Sequence, residues 1–115
     1  MKSVKLERLD DELQIEISKI IQTEIKDKDI SFVTITGCDT SSDLGVTKVY
    51  ITVLDDSKKK ETLLALNNAS KFIRKELASR IKDLRHMPEL RFLYDSSIEY
   101  GNRIDEIIEN INKEQ

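Results

Sequence analysis

The chain has 115 residues, a length suited to one domain, with 19 Lys and Arg against 22 Asp and Glu for a formal net charge of −3. Its 38% hydrophobic and 36% charged residues suffice for one modest core under a highly charged surface, and no run of roughly 18 apolar residues is present to form a membrane-spanning helix. Met1 to Asp10 lacks the apolar stretch of a signal peptide, and the single Cys38 excludes an internal disulfide framework; the expectation is one cytoplasmic domain over residues 1–115.

Leu6, Leu9, Leu13, Ile17, Ile20, Ile21 and Ile25 recur at helical spacing between charged residues, which predicts a long amphipathic helix from about Val4 to Asp27. Ser31 to Cys38 and Val46 to Leu54 are rich in β-branched and aromatic residues and read as two strands. The turn formers from Asp39 to Gly45 join them as an antiparallel hairpin with a loop longer than a tight turn. Ser57 has the chemistry of a helix cap, and Leu63, Leu64, Leu66, Phe72, Ile73, Leu77, Ile81 and Leu84 carry a helical pattern to about Leu84. That pattern loses propensity at Asn67, Asn68 and Ser70, whose side chains compete for backbone hydrogen bonds. Two helices, or one kinked helix, are expected with the break near Ala69.

Pro88 ends the helical region, and Leu90, Phe92 and Tyr94 alternate with Arg91, Leu93 and Asp95 as a third strand. Ser96 and Glu99 have capping-box spacing ahead of a last helix marked by Ile104, Ile107, Ile108 and Ile111. Asp95 and Ser96 are read as its caps, and Gly101 as a point of close backbone packing. The order α-β-β-α-α-β-α, with a three-stranded sheet and helices packed on one face, matches the α+β type II KH fold plus a C-terminal helix.

Catalytic chemistry is hard to assemble from these residues. His86 is the only histidine, Cys38 has no local partner, and Gly37, Gly45 and Gly101 form no phosphate-cradling motif. Asp39, Asp43, Asp55 and Asp56 lie in turns where carboxylates cap amides. No metal or cofactor is expected. Charge distribution is more informative. Between Ser57 and Arg91 the basic residues Lys58, Lys59, Lys60, Lys71, Arg74, Lys75, Arg80, Lys82, Arg85 and Arg91 face only four acids, a net of +6, which leaves −9 on the rest. On a helix from Ser70 to Arg85, Lys71, Lys75 and Lys82 would share a side, flanked by Arg74 and Arg85, and could meet successive phosphates. Aromatic residues are few near them, so shape and phosphate contact are expected to outweigh base stacking.

The segments Phe72-Ile73-Arg74-Lys75-Glu76-Leu77, Arg85-His86-Met87-Pro88-Glu89-Leu90-Arg91-Phe92 and Asp95-Ser96-Ser97-Ile98-Glu99-Tyr100-Gly101-Asn102-Arg103-Ile104 together resemble the signature of the bacterial ribosome-binding factor A family. The hairpin residues Ser42-Asp43-Leu44 and Lys48-Val49-Tyr50-Ile51 fit the same pattern, as does the N-terminal helix through Arg8, Leu13, Ile17 and Ile20. The resemblance implies a KH-like domain in which an Ala-x-Gly kink replaces the usual G-x-x-G loop; the matching residues are Ala69, Ser70 and Lys71, with lysine in place of glycine. It further implies a monomeric, non-catalytic factor that binds the small (30S) ribosomal subunit near the 5′ end of 16S rRNA and the neck. Such a factor acts late in assembly, supports precursor rRNA processing, matters most for growth in the cold, and works alongside other assembly factors. Two other readings stay open: a KH-like adaptor for another RNA or a protein, using the acidic N-terminal helix or the hairpin edge, and a small enzyme acting on RNA ends.

Overall fold

A computed structural model describes residues 2–25, 30, 32–82 and 84–96. Ser3 opens the first helix, α1 (Val4–Glu24), where its hydroxyl accepts from the Leu6 amide at 3.2 Å and satisfies one orphan first-turn donor. Leu13, Ile17, Ile20 and Ile21 form the buried stripe of α1. The backbone becomes extended at Ile25 (φ −108°, ψ 118°), so the helix stops before the expected Asp27.

Two antiparallel strands follow, β1 (Val33–Thr40) and β2 (Val46–Val53), with Val33 opposite Val53 and Thr40 opposite Thr47. The first is displaced from the expected Ser31–Cys38, because Asp39 and Thr40 continue to pair with Lys48 and Thr47. A bulge at Thr36 explains the inward side chains. Ile35 faces Ile51, the pairing then shifts by one residue, and Cys38 faces Val49. The extra residue changes which alternate positions point inward, so Cys38 and Thr40 join the core side and Asp39 faces solvent. The loop is tied by Ser41, whose hydroxyl accepts from the Gly45 and Val46 amides and donates to Asp43. Gly45 lies close under Asp43: a Cβ there would sit 3.2 Å from its carboxylate oxygen, so a larger residue would have to shift that side chain.

Helix entry after β2 falls to Asp55 rather than Ser57. The Asp55 carboxylate accepts from the Ser57 amide at 3.0 Å and its hydroxyl at 2.7 Å, opening a 3-10 turn over Asp56–Lys58. This turn leads into α2 (Lys59–Asn68), and Ala69 alone separates α2 from α3 (Ser70–Arg80). Ala69 adopts φ −88° and ψ 0°, a conformation open to any residue, so the bend needs no glycine and Lys71 sits within the first turn of α3. The expected continuation of this helix to Arg85 does not occur. Ile81 is extended (φ −112°, ψ 97°) while its amide still donates to Leu77, which keeps its side chain in the core as the chain turns away.

The last described strand, β3 (Glu89–Tyr94), runs parallel to β2 from Val46–Glu89 to Ile51–Tyr94, giving the sheet order β1-β2-β3. Pro88 immediately precedes it, where its missing donor costs the ladder nothing. Val49, Ile51, Leu90 and Phe92 of one sheet face pack with Leu13, Ile17, Leu66, Ile73 and Leu77 of the three helices. Each fully buried side chain contributes about 1.5–3 kcal/mol relative to exposure. The opposite face carries exposed Thr34, Asp39, Lys48, Arg91 and Leu93. This is the α+β, type II KH-like arrangement with helices on one face. The expected final helix, with Glu99, Gly101 and Ile104 to Ile111, lies outside the described residues.

Candidate nucleic-acid interface

Burial of Ile73 and Leu77 fixes the rotation of α3 about its axis, and Lys71 and Lys75, one turn apart, are left exposed. Neither makes an ion pair among the described residues. Burial of Thr62 and Leu66 does the same for α2, leaving Lys60 exposed behind Lys58 at the end of the 3-10 turn. These four lysines are the exposed cations of the helical pair that could approach phosphates.

The other basic residues divide among different tasks and places. Arg74 is half-buried, and its Nε and Nη2 donate to the Met87 carbonyl at 3.0 and 2.7 Å, with Nη2 also 3.2 Å from His86 Nε2. It fastens α3 to the segment before β3. Arg80 reaches Glu16 and Glu24 of α1 at 3.7 Å each, so its charge is matched across the α1–α3 contact. The Lys59 ammonium lies 4.0 Å above the centre of the Tyr94 ring. Lys82 and Arg85 are exposed in the α3–β3 connection and do not extend the α3 row, which corrects the expectation of one helix face from Lys71 to Arg85. Arg91 stands on the outer sheet face, paired in register with Lys48, which in turn faces Asp39. The ten basic residues therefore occupy several surfaces.

Two polar residues hold these surfaces in place without any signal that sequence spacing could supply. Asn67 spans the free edge of β3: its Oδ1 accepts from the Phe92 amide at 3.0 Å, and its Nδ2 donates to the Phe92 carbonyl at 3.2 Å and to Leu63 at 3.0 Å. Its carboxamide thus stands in for a neighbouring strand. Asp10, buried within α1, accepts from the Thr40 amide at 2.9 Å and from the Lys2 ammonium, which also reaches Asp39 at 2.5 Å. Burial opposes the charge on Lys2, but the two carboxylates together outweigh it and raise its pKa above the ordinary lysine value. In the loops, Ser41 and Gly45 hold Asp43 below the usual carboxylate range, and Ser57 does so for Asp55. Burial, helped by the Asp10 charge, pushes the Cys38 thiol up to about 12.

A wide groove of about 1210 Å³ opens between the first turns of α1, the β1–β2 loop and the α3–β3 connection. Lys5, Arg8, Leu44 and Arg85 are among its lining residues. Lys5 and Arg8 come from the part of the chain that carries net negative charge, and only the tertiary fold brings them to the same groove as Arg85. Among the described residues no group of three His, Cys, Asp or Glu side chains is arranged to hold a metal ion, and no helix is long and apolar enough to cross a membrane.

A family model described as Ribosome-binding factor A matches residues 5–108. The chain is 43% identical over 114 residues to ribosome-binding factor A of Staphylococcus carnosus, covering 98% of each. It is 44% identical over 109 residues to that of Desulfitobacterium hafniense, covering 94% of this chain and 86% of the relative. The crystal structure of ribosome-binding factor A from Thermus thermophilus aligns with a TM-score of 0.69 at 26% identity, over 76% of this chain and 92% of that one. A homology model of the Thermus thermophilus factor, fitted into the cryo-EM map of its 30S complex, aligns with a TM-score of 0.63 at 26% identity, over 73% and 88%.

Proposed function

This chain belongs to the ribosome-binding factor A family, and on that premise we propose that it is a non-catalytic maturation factor that binds the small (30S) ribosomal subunit. Its ligand there is 16S rRNA near the 5′ end, it acts during late assembly, and its binding supports processing of precursor rRNA. It works in the cytoplasm as a monomer built from one domain over residues 1–115, beside other assembly factors. The 30S complex of the Thermus thermophilus relative supports the partner.

The observation that carries the RNA-binding part is the pair Lys71 and Lys75, exposed one turn apart on α3 and matched by no carboxylate among the described residues. Their spacing suits neighbouring phosphates of an RNA backbone, and such contacts release counterions, so affinity falls as salt rises. Lys58, Lys60, Lys82, Arg85 and Arg91 add positive charge on adjoining and separate surfaces. Arg74, Arg80 and Lys59 act mainly by holding α3 and α2 in place. Ala69, Ser70 and Lys71 form the bend that presents the start of α3. Cys38, with its thiol kept protonated by burial, offers no nucleophile at neutral pH.

Cosedimentation with small subunits, large subunits and assembled ribosomes at low and moderate salt tests the proposal. Selective, salt-sensitive binding to the small subunit that is lost in a folded Lys71→Glu/Lys75→Glu variant is the expected result. Equal binding to all particles, or full binding by that variant, would overturn the partner or the surface respectively.

A further inference from the structure

The groove beside α1 has the composition of a strand-binding cleft rather than of a simple crevice. Lys5 and Arg8 line it from α1, three residues apart and so on adjacent positions of one helix face, and Arg85 lines it from the α3–β3 connection. All three are exposed and have no ion-pair partner among the described residues. Leu9, Leu44, Ile81 and Leu84 contribute apolar lining, beside polar residues that include Ser42 and His86. Of the two acids in the groove, Asp43 is occupied by Ser41 and the Gly45 amide, and Glu12 lies one turn along α1 from Arg8.

Leu44 is the most informative of these residues. It holds φ at 61°, a left-handed conformation that favours glycine or asparagine and that leucine rarely adopts. Its amide donates to the Ser41 carbonyl, so the turn itself imposes the conformation, and glycine would fit the backbone better. Leucine at this position adds one thing glycine lacks, an apolar side chain lining the groove.

We infer that this groove binds a single-stranded RNA segment, with Lys5, Arg8 and Arg85 meeting its phosphates and the leucine-lined floor beneath its bases. The inference rests on the RNA-binding reading above, and it adds a second contact at the far end of α3 from Lys71 and Lys75. A duplex would keep its bases stacked away from such a floor, whereas a single strand can lay bases on apolar side chains and its backbone along cations. The positive end of the α1 dipole adds to the attraction for phosphate.

The test uses a fluorescein-labelled ten-nucleotide uridine RNA, titrated with the full chain across a range of salt concentrations. Lys5→Glu/Arg8→Glu on the α1 wall and Arg85→Glu on the wall from the α3–β3 connection are each compared with wild type and with Lys71→Glu/Lys75→Glu. Acidic residues in the first turns of a helix are electrostatically favourable, so the α1 variant keeps its fold, checked by its unfolding midpoint. Each wall variant is expected to weaken oligonucleotide binding at least about tenfold, and the α1 variant to reduce the slope of log affinity against log salt by about 1.4, corresponding to two single-strand phosphate contacts. The inference is overturned if wild type fails to bind the oligonucleotide, or if both wall variants bind it as wild type does. It is also overturned if the wall variants lose small subunits while keeping the oligonucleotide, which would assign the groove to a protein surface. Small-subunit cosedimentation of the wild type, run in parallel, reports separately on the reading it rests on.

Discussion

Replacing Asn67 by alanine removes the clamp that closes the β3 edge. The side chain satisfies both the amide and the carbonyl of Phe92, a residue 2% exposed on the packed face of the edge strand β3. Both backbone groups meet Asn67, and among the described residues no strand pairs with β3 on that side. An unsatisfied backbone group costs about 1–3 kcal/mol when buried, and because Asn67 is itself exposed, water can partly replace it. The low end applies, about 1 kcal/mol for each group, and the better helix propensity of alanine returns about 0.5 kcal/mol. The net loss of about 1.5 kcal/mol corresponds to a fall of roughly 6 °C in unfolding midpoint for a domain of this size. Asn67→Asp should be no better than alanine, because one carboxylate oxygen would face the Phe92 carbonyl. Asn68 provides the control: it has the same chemistry and neighbouring position but no side-chain hydrogen bond to the sheet among the described residues. Thermal unfolding followed by circular dichroism compares the variants. Coincident midpoints for Asn67→Ala and Asn68→Ala would refute the edge-clamp argument.

Asp10→Ala strands the buried Thr40 amide and frees Lys2, so stability should fall by about 2 kcal/mol in urea titration, with faster hydrogen exchange at Thr40. Arg74→Ala should cost about 1–2 kcal/mol through the Met87 carbonyl, while Lys75→Ala should stay within about 0.5 kcal/mol, separating the structural cation from the exposed one by the same titration. At pH 8 the Cys38 thiol, raised from 9.0 to about 12, should resist iodoacetamide until the chain is unfolded, as read by mass spectrometry. Because the folded state favours the protonated thiol, its stabilising contribution is complete below pH 9 and declines as pH rises toward 12, so unfolding midpoints should drop over that range.

The amino-acid sequence by itself determined the type and order of the described helices and strands and the family, because these rest on patterns within a few residues of one another. The alternation in Val46–Val53 and Glu89–Tyr94, the leucine and isoleucine spacing of α1, and the weak helix formers around Ala69 are local signals, and the structure follows them closely. Only tertiary structure decided which basic residues remain available to a ligand. Arg74 and Lys75 adjoin in sequence, yet one grips a carbonyl 13 positions away and the other faces solvent. Asn67 and Asn68 are alike in composition, but only the first faces the β3 edge, 25 positions away. The end of α3 at Arg80, where Ile81 turns extended while staying in the core, removes Lys82 and Arg85 from the helical row and brings Arg85 to the same groove as Lys5 and Arg8. Such pairings depend on sheet order, helix rotation and one bulge at Thr36. Hydrophobic periodicity records which face of an element turns inward, and the polar partners that face then meets are set by how the elements pack together.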